Sequence, residues 1–515
     1  MGEAALNFYA TLVDLLGKCA PEAVTINAGK GAALRARAIL RSLISLDDLE
    51  AILALRFTVP APGQFGADLS LIKPCPPGIL PSHKQAVLLF FDRVYGIDDQ
   101  KMFLHMLEKS FLPDLRCTTM LNAPGARESE IALATNRYLC NSVLPLLTAH
   151  AHHFADAEHQ TALLDATLHT VYRMSKLPSL TNNQRSAVTE FLIAFCRELK
   201  PIMMLSLLRT VVIDIPSLTS YSVAPLRIMT LHYERCGRYY GTGSADGVAS
   251  DEEKRLTMNL FLAIFEALGK RPYDPNLFGK ALPCLIAIGC ALSPDYTLTQ
   301  RLESNISGDE VAIETADTWI PMPVDVEQVT LSEEMETVCQ KFAEHFHDSW
   351  ASKKFEKGWT YANVYNRVEL THPRLRAFNN LKAREKKFYK EQCTECFLAL
   401  LSFNYSIDVT DSEAVRRLEE SEDAPPHRGP YHPRPIDLSN MTLSRDVSIA
   451  AERVAENTHA IWAKDMLAIV TEKGTGMLSS IVPWYLLTDN ERRKNRFLAE
   501  EIMRFLQYNG FAINK

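Results

Sequence analysis

The sequence predicts an all-α protein, an irregular α-solenoid followed by a tandem pair of two-helix repeats. Three observations carry that reading. Apolar residues recur at helical spacing through segment after segment of the first three hundred residues. Strand-like alternation is scarce there. The main ambiguous run is TVVIDI (Thr210–Ile215), which reads equally as a buried helix end. Finally, AEHFHDSWA, beginning at Ala343, returns as AENTHAIWA at Ala455, an offset of 112 residues.

The solenoid region, residues 1–305, is a series of helical segments with short polar breaks. KQAVLLFFDRVYGI (Lys84–Ile97) places Val87, Phe90, Phe91 and Val94 at i, i+3, i+4 and i+7, one apolar face. The preceding LPSHKQ offers Ser82 as its N-cap. Similar faces occur in MFLHMLEKSFL, ESEIALATNRYLCNSVLPLL, LLDATLHTVYRM and RSAVTEFLIAFCREL. SLTNNQ (Ser179–Gln184) supplies a Thr/Asn cap to the last of these, and Ser250 caps the helix after the loop GTGSADGVASDEE. Many helices with short connections and no strict period describe helix pairs that stack on their neighbours, an architecture that makes binding surfaces.

Composition narrows the function class. Apolar residues make up 47% and charged residues 23% of the 515, an ordinary soluble balance. The net charge of −7 and the pI of about 6.1 carry no global basic footprint for nucleic acid. The 11 cysteines lie scattered, apart from CTEC (Cys393–Cys396), and imply a reducing compartment. The N-terminus has Glu3 where a signal peptide would be basic, and Leu6 where myristoylation needs Ser or Thr. The longest apolar run, Ala281–Leu292, is too short to span a bilayer. The expectation is therefore a cytosolic segment with no pore and no direct membrane insertion.

Chemical motifs in the first half are weak. GKGAAL (Gly29–Leu34) lacks the frame of a phosphate loop. HAHHF (His150–Phe154) clusters three histidines without cysteines or carboxylates at ligand spacing and reads as a solvated helix end. No EF-hand loop is found. The expected catalytic, cofactor and metal sites are none.

The second half is a duplication. Trp319–Met335 aligns with Tyr431–Val447. Pro321, Pro323, Asp325, Thr330, Leu331 and Ser332 match Pro433, Pro435, Asp437, Thr442, Leu443 and Ser444, all at the offset that relates His347 to His459 and Trp350 to Trp462. The P-x-P pairs force an extended lead-in, because proline fixes its own φ and disfavours helix before it. Ser332 and Ser444 stand as N-caps with acidic residues in the following turn. A helix follows in each copy, with Met335, Val338, Phe342 and Phe346 on one face of the first and Val447, Ala450, Val454 and Ile461 on that of the second. The similarity resumes at an offset of 106, where Phe378 meets Trp484, Leu381 meets Leu487 and Glu385 meets Glu491. Six residues are thus missing from the second copy, around GWTYAN. Both copies close with a second helix and similar tails, Phe403–Ile407 and Tyr508–Ile513. The copies span 316–410 and 431–515, with an acidic loop, 411–430, between them.

Each copy carries E-x-x-H: Glu344 with His347, and Glu456 with His459. Di-iron carboxylate bundles use that pair twice, with further glutamates from other helices. A metal enzyme is therefore one reading. Duplication of a module accounts for more, because a metal would not match prolines, caps, tryptophans and tails; the histidine then holds the two helices of its module together.

The frame P-x-P-x-D…T-L-S…A-E-x-x-H-x-x-W-A, then G-W-x-Y, H-P-x-L and a closing E-K/R helix, resembles the ryanodine receptor repeat, and the two copies resemble the third and fourth of that family. LPSHKQAVLLFFDRVYGI, NRYLCNSVLPLL and ALPCLIAIGCAL upstream resemble its cytoplasmic solenoid. The resemblance implies a two-lobed module within a homotetrameric calcium-release channel of the endoplasmic or sarcoplasmic reticulum. The segment would be regulatory and scaffolding, partnered by the rest of the channel polypeptide and by neighbouring subunits, with no cofactor. A free-standing scaffold or decoy is the alternative. In that family the inter-repeat loop carries phosphorylation sites after basic residues. Here Asp411–Asp423 has six acidic and two basic residues, so Thr410, Ser412 and Ser421 suit an acid-directed kinase.

Overall fold

The protein is seen in a computed structural model that describes residues 2–57, 79–121, 129–239, 249–291, 319–420, 431–473 and 480–515. Among these residues it is all-α apart from two two-stranded sheets. The chain forms two compact units. Met1–Trp319 with Leu467–Asp489 makes one, and Ile320–Met466 with Asn490–Lys515 makes the other.

The first unit is the helical array. Its helices are α1 Gly2–Cys19, α2 Ala23–Asn27, α3 Gly31–Leu43, α4 Leu46–Leu53, α5 Pro81–Phe90, α6 Gln100–Met106, α7 Leu112–Leu121, α8 Glu130–Tyr138, α9 Leu144–Ala149, α10 Thr161–Met174, α11 Asn182–Glu198, α12 Leu205–Asp214, α13 Val223–Tyr239, α14 Asp251–Gly269 and α15 Pro275–Ala291. Helices pair with near, not immediate, neighbours in the chain: α1 lies on α5, α7 on α10, α11 on α9 and α13, α12 on α14, and α13 on α15. One continuous apolar core runs from Val13 to Ile288, as stacked helix pairs require. Gly17 permits the close approach of α1 to α5, since a Cβ there would stand 3.1 Å from the Phe90 amide nitrogen. The Trp484–Leu486 turn belongs to this unit and packs on α10, and the Arg116 guanidinium donates to the Leu486 carbonyl.

Local signals explain most helix ends. Thr181 caps α11 and Gln184 returns the bond to the Thr181 amide at 2.9 Å. Ser250 caps α14. Thr210–Ile215 runs through the end of α12, so its alternation belongs to a helix. Ser82 is not the cap of α5. Pro81 holds the first helical position, its φ already suited to it, and the His83 ring accepts the Leu80 amide at 3.2 Å. The apolar run up to Ala291 lies in α15, which contains Pro283. Among the described residues, no helix is long and apolar enough to cross a membrane.

A buried ion pair lies inside this core. Lys84 Nζ reaches both Asp114 oxygens, at 2.8 and 2.7 Å, with both side chains sealed from solvent. Tyr138 donates to the same carboxylate and Phe57 lies under the ammonium. Burial pushes Asp114 up to about 6 and Lys84 down, so each charge depends on the other.

The second unit holds most of the duplication. Helices Glu333–Glu356 and Ala383–Ser402 form the first copy; Arg445–Lys473 and Asp489–Tyr508 are their counterparts. The offsets read from the sequence hold at the starts of the first helices and at both ends of the second. In the first copy β1 Thr360–Tyr361, within the extra residues, pairs in parallel with β2 Thr371–His372. The acidic segment after the first copy opens as a helix, Ser412–Glu419, rather than as a loop. Asp411 caps it, and Ala414, Val415 and Leu418 give it a buried face. Residues 421–430 lie outside the described residues.

Candidate functional site

The two copies interlock through their lead-ins. Asp325 and Asp437 each turn the chain by accepting an amide two residues on, from Glu327 at 2.9 Å and Ser439 at 3.0 Å. Ser332 and Ser444 accept the amides of Met335 and Val447, both at 3.3 Å. Between the prolines and the Asp turn, each lead-in crosses to the other copy. The Val324 amide donates to Asn457 Oδ1 at 2.8 Å. The Ile436 amide donates to His345 Nδ1 at 3.2 Å. Val324 and Ile436 are equivalent positions, and so are His345 and Asn457. The exchange is reciprocal.

The tails repeat the symmetry. β3 Ser406–Val409 pairs antiparallel with β4 Phe511–Asn514, with Ile407 opposite Ile513, its own counterpart. The residue that turns each chain out of its second helix is left-handed in both copies, Asn404 at φ 63 and Gly510 at φ 82. The Gly510 carbonyl then accepts the Thr410 amide at 2.7 Å and the Thr410 hydroxyl at 2.9 Å. One contact breaks the symmetry. Asp348 accepts the Tyr431 hydroxyl at 2.5 Å and the Arg434 amide at 3.1 Å, whereas its counterpart is Ala460.

The E-x-x-H residues do not converge. His347 is fully buried, and its Nε2–H donates to the Arg376 carbonyl at 2.9 Å, in the link between the first copy's helices. Burial holds this ring below its usual range. Glu344 accepts from Gln340 at 3.0 Å, while Glu456 is exposed and His459 buried. Each histidine lies 5.7 Å from the ring of its own i+3 tryptophan, Trp350 or Trp462. Glu385 is taken up by the Lys382 amide, Arg374 and Arg376. Of the prolines, Pro321 is buried, and Pro323, Pro433 and Pro435 are half-buried. The CTEC thiols are buried, and burial pushes Cys396 up to about 12. Among the described residues, two groups have donor atoms close enough to share one ion: His150, His152 and His153, and His232, Cys236 and Glu253. Neither includes an E-x-x-H residue.

The loop candidates separate by position. Thr410 is committed to Gly510, and Ser412 stands exposed in the first turn of its helix. Ser421 lies outside the described residues. The sequence reading missed His345, Asn457 and Asp348. Its alignment puts His345 opposite Asn457, two polar residues on an otherwise apolar helix face, and that was the available signal.

Amides paired with side-chain acceptors join the two copies into one duplicated helical module. The sequence model of the RyR domain matches residues 319–409 and 431–515. The chain thus carries two stretches that match the RyR domain, one in each copy of the duplication.

Proposed function

We propose that this chain is a cytoplasmic regulatory and scaffolding segment of a homotetrameric ryanodine-sensitive calcium-release channel of the endoplasmic or sarcoplasmic reticulum. It contributes neither pore nor catalysis. The observation that carries this reading is the tandem RyR domain locked by its own reciprocal clasp. Such a module presents a fixed surface to the remainder of the channel and to neighbouring subunits. The helical array preceding it has the stacked pairs of a bracing element.

Regulation fits the segment between the copies. An acid-directed kinase would find Ser412 exposed at a helix N-terminus, where added negative charge is favoured. A phosphate on Thr410 would remove the hydroxyl that donates to Gly510. Ser412 is therefore a better acceptor than Thr410.

The test is an immunoblot of native membrane and soluble fractions with an antibody to residues 319–515. A single very large band in the membrane fraction supports the channel reading. A soluble band near 57.9 kDa, the mass of this chain, overturns it in favour of a free-standing scaffold or decoy.

A further inference from the structure

Helix α9 ends at Ala149, and the chain continues as a tight turn, Ala151–Phe154, bearing three histidines. The ring nitrogens of His150, His152 and His153 lie within 4.8 Å of one another. We propose that this turn binds one divalent transition-metal cation of the zinc type through three imidazoles, leaving a coordination position open.

The backbone creates the cluster. A 3₁₀ turn has three residues per revolution, so His150 and His153 fall on one edge. Their rings are parallel within 4°, with centroids 6.0 Å apart, and the His152 ring lies 4.1 Å from that of His153. The turn is held from outside. Gln100 Nε2 donates to the His153 carbonyl at 2.9 Å and the Ala155 carbonyl at 2.8 Å. Phe154 anchors it in the core, packed on Phe103, Phe191 and Phe195. Ligands carried on a backbone fixed in this way are organised before the ion arrives.

The ring nitrogens have few other partners, although the His153 ring also packs 5.3 Å from Phe103. His150 Nδ1 is buried without a hydrogen-bond partner, a state that native proteins rarely leave unfilled. No hydrogen bond engages the other two rings among the described residues. The surroundings favour a cation. His150 caps the C-terminal end of α9, the negative end of its dipole. Asp92 and His150 line one groove, and His152 is exposed, so an ion has access.

The donor set selects the ion. Three imidazoles suit zinc, copper or nickel rather than calcium or magnesium, which take oxygen ligands. Three protein nitrogens with solvent access match the open type of zinc site rather than the closed cysteine-rich type.

The test is titration of the full chain with Zn²⁺ alone, read by competition with a chromogenic chelator. Co²⁺ absorbance reports the geometry. One equivalent is expected. His152→Gln or His153→Gln should each weaken binding by at least the roughly 10–100-fold that loss of a supporting second-shell group costs. His159→Gln, outside the cluster, should leave it unchanged, and metal-free thermal melts of all variants should match the parent. Absence of stoichiometric binding overturns the proposal. So does binding undiminished in the His152→Gln/His153→Gln double variant, which would place the ion elsewhere, such as at His232, Cys236 and Glu253.

Discussion

His345 and Asn457 stand at the same position of two copies of one module, and each accepts a backbone amide from the lead-in of the other copy. Neither copy completes its own lead-in. Asn457→Ala should therefore expose the Val324 amide of the first copy, and His345→Ala the Ile436 amide of the second. Each should cost about 0.5–1.5 kcal/mol, the usual net worth of one intramolecular hydrogen bond, since both donors are half-buried. Hydrogen exchange checks the crossing. Protection should fall at residue 324 in the first variant and at residue 436 in the second, and the opposite assignment would refute the reciprocity.

The Lys84–Asp114 pair predicts a contrast between single and double substitutions. Asp114→Ala leaves a sealed ammonium without its partner and should lose about 3–5 kcal/mol of stability. Lys84→Met with Asp114→Leu removes both charges and should come close to the parent. Denaturant melts of the single and double variants decide it.

Gly510 and Asn404 share a left-handed backbone but not its surroundings. A Cβ on Gly510 would stand 2.6 Å from the Asp411 carbonyl oxygen. Gly510→Ala should cost more than the about 1–2 kcal/mol of left-handed strain alone, and should loosen the β3–β4 pairing. Asn404→Gly should be tolerated. Equal melting temperatures for the two variants would contradict this.

Acid should destabilise the helical array through His169. Burial, with Arg173 and Lys176 nearby, lowers this ring to about 4, and its Nε2 lies 2.7 Å from Ser206 Oγ. The unfolded chain binds the proton first. The contribution is thus present above pH about 6.5 and is lost as pH falls toward about 4, amounting to roughly 3 kcal/mol at the lower end. His169→Gln should flatten the stability profile in that window, as read by urea midpoints.

Much of this architecture was legible in one dimension because duplication prints its own register. Offsets of 112 and 106 locate the helix starts, the Ser332 and Ser444 caps and the equivalent tails. The exchange was not legible. An alignment says that Val324 corresponds to Ile436, but not that each bonds to the other copy's helix, since spatial partnership leaves no trace in spacing. Ser82 was misread because a proline at the first helical position outcompetes a serine cap. Ser412–Glu419 was read as loop because its charges hid the apolar face of Val415 and Leu418. The histidines after α9 read as a solvated helix end because spacing along the chain does not show that a 3₁₀ turn gathers their rings.

The clasp is the contact that a two-fold homodimer makes, drawn into a single polypeptide. In an isologous dimer both sides must carry the same residue, so each contact occurs twice or not at all. Joining the protomers removes that constraint. His345 and Asn457 have diverged while keeping the same role, and Asp348 has acquired Tyr431 on one side alone. A copy excised from its twin would be left with a lead-in amide and a tail strand unsatisfied, and would meet both needs by associating with another molecule of itself.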